Sequence, residues 1–328
     1  MEKSCRQNKN NTENKLTAER NIGMPQGVFA RGKSMSVCNI CPRKCNIERT
    51  VSRGFCGEGN AVRVARAALH FWEEPCISGK NGSGTVFFSG CNLRCVYCQN
   101  KPISRGNVGR EISTERLCEI FFELREKGAH NINLVTPTHF SAQIKEAVAA
   151  ARSKGFDLPV VWNTGGYENA DVIESLADTV DIYLTDFKYF SSDLALKFSA
   201  AADYPSAAKA ALDAMVRTKG APVFDDGGMM KRGVIVRHLV LPGHTDDSVN
   251  VLKYIYSRFG DAVMLSIMRQ YTPMEKNEKY PELSRTLTSY EYEKVTSAAT
   301  EIGVKLAYGQ DKGTAKESFI PDFDCTGV

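Results

Sequence analysis

The sequence predicts an α/β fold built on a parallel sheet, barrel-like or doubly wound, on three observations. Short β-rich runs alternate with helical segments from Gly84 onward, and such alternation implies parallel strands joined by right-handed crossovers. The alternation repeats six times. The 328 residues leave room for one large α/β domain with an appendage, or for two modest domains. In chain order the strands are read at 85–89, 131–136, 158–164, 181–186, 234–241 and 262–267. Helical segments lie between them at 114–127, 141–154, 170–176, 206–218 and 248–259. Ser113 and Thr114 make a suitable start for the first helix and Gly128 a suitable stop. Asp246 or Asp247 is expected to cap the helix at Ser248.

Directly after the first strand comes Gly90-Cys91-Asn92-Leu93-Arg94-Cys95-Val96-Tyr97-Cys98. Three cysteines at C-x3-C-x2-C spacing hold three irons of a four-iron cubane and leave the fourth without a protein ligand. A cluster that only transfers electrons takes four cysteines, and an open metal position marks a catalytic site rather than a structural one. Zinc wants a fourth ligand, which this loop lacks, and plant-type ferredoxin spacing is C-x4-C-x2-C. In parallel sheets ligands bind beyond the carboxyl ends of the strands. Cys91 falls there.

The loop resembles the signature of the radical S-adenosylmethionine (SAM) enzymes, C-x3-C-x-aromatic-C, with Tyr97 in the aromatic slot. The resemblance implies a partial (β/α)6 barrel of the radical SAM type with a Cys-rich N-terminal extension. It also implies a [4Fe-4S] cluster on Cys91, Cys95 and Cys98, with SAM bound at the open iron. Further marks are Cys41-Pro42-Arg43-Lys44-Cys45, Phe71-Trp72-Glu73-Glu74-Pro75-Cys76-Ile77-Ser78-Gly79 and Phe319-Ile320-Pro321-Asp322-Phe323-Asp324. They are similar to the pyruvate formate-lyase activating enzyme-like iron–sulfur proteins of that superfamily.

The ends of the other strands supply candidate cofactor contacts. Thr136 and Thr138 flank Pro137, which exposes backbone carbonyls, and they hold by position only the place of the family's Gly-Gly-Glu segment. His139 reads as a helix cap or as a general acid or base. Asn163 and Thr164 precede a glycine pair that either admits a ligand close to the backbone or makes an ordinary turn. Asp186 and Lys188 lie two residues apart on one face. They resemble the Asp-x-Lys of glycyl-radical activating enzymes, with a surface ion pair as the alternative. Arg237, inside an apolar strand, needs an anionic partner. Its Arg-x-x-Val-x-Pro-Gly context resembles the segment that meets the cofactor ribose and carboxylate in the activating enzymes, and a salt bridge inside the barrel is the alternative. No catalytic residue is assigned beyond the cluster ligands.

A second set, Cys38, Cys41, Cys45 and Cys56, offers four thiols in one short segment. Structural zinc and a fully ligated auxiliary cluster both fit, as do merely buried cysteines. The expected organisation is a disordered polar tail over 1–34, the Cys-rich segment over 35–78, the barrel over 79–275 and a C-terminal helix and tail packed on the barrel over 276–328. Gly27 to Ser34 matches G-x-x-x-x-G-K-S, but no strand precedes it, and nucleotide binding is rejected.

A net charge of +4 and the absence of a basic stripe exclude nucleic acid as an expected partner. No apolar run reaches 18 residues, so no membrane span is expected. Eleven cysteines at metal-ligand spacings point to a reducing cytoplasm. The expected activity is reductive cleavage of SAM to a 5′-deoxyadenosyl radical that abstracts hydrogen from a substrate. By the resemblance, the substrate is a glycine of a glycyl-radical partner, and the reductant is a one-electron donor such as flavodoxin or ferredoxin. Another peptide or a small metabolite is the alternative substrate. A non-catalytic iron–sulfur or zinc protein is the alternative class.

Overall fold

The computed structural model describes residues 37–105, 108–274, 276–310 and 320–328, which fall in one compact unit. The polar segment 1–34, with its G-x-x-x-x-G-K-S match, lies outside the described residues.

Six strands run parallel: β2 (Ser83–Phe88), β4 (Ile132–Val135), β5 (Val160–Thr164), β6 (Ile182–Asp186), β8 (Met230–Leu239) and β9 (Met264–Met268). Each is followed by at least one helix. These are α2 (Lys101–Ser104) and α3 (Thr114–Glu126), α4 (Ser141–Ser153), α5 (Ala170–Ser175), α6 (Ser192–Ser199) and α7 (Tyr204–Lys219), α8 (Thr245–Phe259) and α9 (Ser289–Ile302). With β1 (Val62–His70), β3 (Arg110–Ile112) and β10 (Ala307–Tyr308) at its edges, the sheet order is β10-β9-β8-β6-β5-β4-β2-β1-β3, with two ends that do not meet. This is a partial barrel of six β/α units, as the sequence predicts.

The edges carry what the sequence did not announce. β1 (Val62–His70) pairs antiparallel with β2, and β3 (Arg110–Ile112) extends that edge antiparallel to β1. The opposite edge ends in β10 (Ala307–Tyr308), and β7 (Val223–Phe224) forms a short ribbon with β8. β1 falls within the 35–78 segment and joins the main sheet. At the C-terminus, Ala67 N–H donates to the Thr326 carbonyl at 2.8 Å and Cys325 N–H to that of Ala65 at 2.9 Å. The last residues thus cover part of β1.

Side chains alternate between two faces of the sheet. Val160, Trp162 and Tyr183 join the large core under the helices. Val161, Ile182 and Leu184 face the concave side, where Cys76 and Ile77 of α1 (Pro75–Ser78) plug the bottom of the barrel. Burial on both faces explains the nearly unbroken apolar runs of the parallel strands. Ser113 caps α3 by accepting from Arg116 N–H. α8 starts three residues earlier than expected, at Thr245, with His244 in the cap position. Asp247 is not its cap: both its oxygens accept from Phe190 and Ser191 N–H at 3.0 and 2.8 Å, tying α8 to the loop after β6. Among the described residues no helix is long and apolar enough to cross a membrane.

Candidate functional site: a three-cysteine cavity

β2 ends at Phe88, and the chain turns at Gly90 into the cysteine loop. Gly90 has φ +84°, and a Cβ there would stand 2.7 Å from the Cys56 carbonyl oxygen, so only glycine fits the turn. The loop is tied down by its own backbone. Cys91 N–H donates to the Cys56 carbonyl at 3.2 Å, Arg94 N–H to Ser199 at 3.1 Å and Val96 N–H to Phe198 at 2.8 Å. Asn92 is buried and donates to the Tyr167 carbonyl at 2.6 Å. The Arg94 guanidinium donates to the carbonyls of Cys91 at 2.7 Å, Leu93 at 2.9 Å and Phe55.

Cys91, Cys95 and Cys98 line one cavity at the carboxyl ends of the strands, and among the described residues no other cysteine lines it. Each sulfur receives a hydrogen bond. Leu93 N–H reaches Cys91 Sγ at 3.4 Å, the Ser199 hydroxyl donates to Cys95 Sγ at 3.0 Å, and the Ser104 side chain serves Cys98. Burial, then Cys95 and Cys98 beside it, push the Cys91 thiol up to about 12, and burial raises Cys98 as well. Metals bind cysteine as thiolate, so a cation held here would take the place of the thiol protons. Among the described residues no three His, Cys, Asp or Glu side chains are gathered for a single metal ion. The donor set fits a four-iron cluster with one uncommitted iron.

Most expected contacts converge here: Tyr97, Thr136, Asn163, Thr164, Asp186 and Lys188 are all in the cavity wall. Tyr97 shares a 2.6 Å hydrogen bond with Tyr189, whose hydroxyl meets Ser199 at 2.7 Å, so a chain of hydroxyls leads to the Cys95 sulfur. Asp186 and Lys188 form a part-buried ion pair. Burial opposes the Lys188 charge, but Asp186 and then Cys95 hold it well above the ordinary lysine range. Thr136 has φ +56°, an outlier for a β-branched residue of the kind found at ligand sites.

Two expected residues turn away. Thr138 is buried outside the cavity, and its hydroxyl donates to Glu168 Oε1 at 2.5 Å. His139 caps no helix by its side chain and does not line the cavity. Its Nε2 meets the Ser89 carbonyl at 2.6 Å, bracing the start of the cysteine loop. Burial lowers its ring to about 3, so it stays neutral and donates there. Acid–base work is excluded for it.

Arg237 does line the cavity, but not as a free cation. Its Nε donates to Glu74 Oε1 at 2.8 Å and its Nη2 to Glu74 Oε2 at 2.6 Å, and Nη2 also reaches Glu73. Burial alone would raise the Glu74 carboxyl, but Arg237 holds it below the ordinary range. Glu73 Oε1 further accepts from Asn133 at 2.8 Å and Asn163 at 3.3 Å. The sequence showed the Glu73-Glu74 pair before a proline, yet gave no sign that it would meet an arginine more than 160 residues away.

Glu168 was also missed. It is 1% exposed, takes hydrogen bonds from Thr138 and Thr164, and so ties the end of β4 to the end of β5. Burial raises its carboxyl to about 7.

Comparison with known proteins agrees with this geometry. The family profile described as the Radical SAM superfamily matches residues 85–255, half of the chain. An uncharacterized protein of Methanocaldococcus jannaschii is 29% identical over 280 residues, covering 83% of this chain and 76% of the relative. The pyruvate formate-lyase-activating enzyme of Clostridium pasteurianum is 24% identical over 224 residues, covering 66% of this chain and 81% of that enzyme. Among solved structures, Streptococcus suis SuiB bound to S-adenosylmethionine aligns over 68% of this chain with a TM-score of 0.46 and 10% identity. The chain spans about half of that protein's length, 49%.

Proposed function

The chain belongs to the radical SAM superfamily, and from this membership we propose an enzyme that takes its hydrogen atom from a protein substrate. The substrate we assign is a backbone glycine of a glycyl-radical partner enzyme. Cys91, Cys95 and Cys98 would hold a [4Fe-4S] cluster, which would supply the one-electron reductive cleavage of SAM. An external one-electron donor such as flavodoxin or ferredoxin is the reductant we assign.

The chain's own residues orient the cofactor and exclude water. Asp186 and Lys188 present opposite charges suited to the amino and carboxylate groups of SAM. Thr136, Asn163 and Thr164 offer polar backbone and side-chain groups from two neighbouring strand ends. Arg237 is assigned to holding Glu73 and Glu74 rather than to binding the cofactor carboxylate, because two carboxylates already occupy its guanidinium. Of the charged groups that line the cavity among the described residues, Glu73 pairs with Arg237 and Asp186 with Lys188, so the wall is close to charge-balanced. Tyr97 closes the wall next to Tyr271, with ring centroids 6.1 Å apart.

The observation that carries the radical reading is the cavity with three hydrogen-bonded cysteine sulfurs and, among the described residues, no fourth. The glycine assignment rests on the likeness to the Clostridium pasteurianum activating enzyme. A small metabolite, another peptide or a non-catalytic role has no observation of its own.

Reduced, anaerobic protein should be incubated with SAM and candidate glycyl-radical enzymes. The expected result is 5′-deoxyadenosine formed only with the true partner, together with a glycyl-radical doublet on that partner. Vigorous turnover of a metabolite without the doublet would remove the glycine assignment. Absence of any SAM effect on the reduced cluster's electron paramagnetic resonance (EPR) signal would remove the radical reading as well.

A further inference from the structure

A second group of thiols stands against the back of the Cys91 loop. Cys38 N–H donates to the Ile47 carbonyl at 2.8 Å and Asn46 N–H to that of Cys38 at 3.1 Å, closing a small loop around Cys41 and Cys45. Lys44 at φ +43° and Asn46 at φ +52° take left-handed turns to make that loop. Cys45 and Cys56 are eleven residues apart in sequence, yet both sulfurs lie 3.5 Å from the point where a Cβ on Gly54 would stand. Cys41 lies in the electrostatic field of Cys45 and Cys56, and Cys56 in that of Cys38 and Cys45, so all four thiols share one neighbourhood. Cys41 and Cys56 are each only 8% exposed.

Two arginines border the group, each hydrogen-bonded to two backbone carbonyls and left with one buried nitrogen unpartnered. Arg49 is 8% exposed, acts on Cys56, and has a buried Nε without a hydrogen-bond partner. Arg43 lies between Cys41 and Cys45, and its Nη2 is likewise buried and unpartnered. Buried donors without partners are costly, and an anionic centre among them would supply what they lack.

We propose that Cys38, Cys41, Cys45 and Cys56 hold a second [4Fe-4S] cluster. Four thiols fit either a zinc ion or a closed cluster, and the run of ligands favours the cluster. Three of them fall within one short loop as Cys38-x2-Cys41-x3-Cys45, the reverse of the C-x3-C-x2-C of the radical loop, whereas structural zinc usually takes two C-x2-C pairs. Four protein ligands leave no open iron, so this centre carries electrons and binds no SAM. It stands one backbone hydrogen bond from the radical loop, through Cys91 N–H and the Cys56 carbonyl.

The test is iron and zinc content of the anaerobically reconstituted full chain carrying C91A, C95A and C98A together. About four irons per chain are expected, with an EPR signal on reduction that SAM leaves unchanged; adding C38A and C41A removes both. A triple variant with wild-type circular dichroism but no iron, or with one zinc instead, overturns the proposal. Should the triple variant fail to fold, the wild-type chain decides. About eight irons, with only part of the reduced signal shifted by SAM, support the second cluster. About four irons that all respond to SAM overturn it. Failure of the radical reading looks different: the irons remain and none responds.

Discussion

Replacing Glu168 by Gln should abolish a pH dependence of stability that originates in one buried carboxyl. Glu168 is 1% exposed, and burial raises it from the ordinary 4.5 to about 7, against the lowering effect of the Thr138 and Thr164 hydroxyls. The folded chain therefore holds this proton more tightly than the unfolded chain. Its stabilising contribution is complete below pH 4.5 and is lost as the pH rises to about 7. At about 1.4 kcal/mol per tenfold change in proton affinity, the full loss is about 3 kcal/mol. Most of it, roughly 2 to 3 kcal/mol, falls between pH 5 and pH 8. Glutamine keeps an oxygen able to accept both threonine hydroxyls and has nothing to ionise. Urea unfolding of both proteins from pH 5 to pH 8 gives a stability difference in which every other titrating group cancels. That difference should move in favour of the glutamine variant as the pH rises. A difference independent of pH would refute the reasoning, because it would mean Glu168 is already ionised when the chain folds.

Arg237→Met should cost about 3 to 5 kcal/mol, because it strands the Glu73 and Glu74 carboxylates, whose side chains are 8% and 5% exposed. Urea unfolding at neutral pH checks this, and the E73Q/E74Q/R237M combination should recover most of the loss. Ser199→Ala removes the 3.0 Å hydrogen bond to Cys95 Sγ. Such a bond favours the reduced, more negative cluster, so at about 1 kcal/mol its loss should lower the midpoint potential by about 40 mV. An EPR-monitored redox titration measures the shift, and an unchanged midpoint would show that Ser199 serves Tyr189 alone.

The parts of this protein legible in its sequence are those decided locally. The six parallel strands are short apolar runs because both faces are buried, and the three cysteines announce their chemistry through spacing on one loop. β1 was missed for the opposite reason. Val62, Val64, Ala65 and Ala67 are buried, while Arg63 and Arg66 reach acidic partners on either side of a bulge, so it has neither the unbroken apolar signature nor a clean alternation. α1 has four residues and α6 has eight, too few for a clear helical period.

The site divides along the same line. Tyr97, Asp186 and Lys188 were readable because each follows a strand or belongs to the motif. Glu168, Glu73, Glu74 and Ser199 were not, because each matters only through a partner brought near by the barrel: Thr138 thirty residues away, Arg237 163 and 164, Cys95 104. The arginine shows what this costs a reading from sequence. A buried cation on a strand demands an anion, and the physics is satisfied equally by a cofactor carboxylate or by glutamates from the segment before α1. Only the fold chooses between them. Having chosen glutamates, it commits the arginine to holding the segment before α1 against β8.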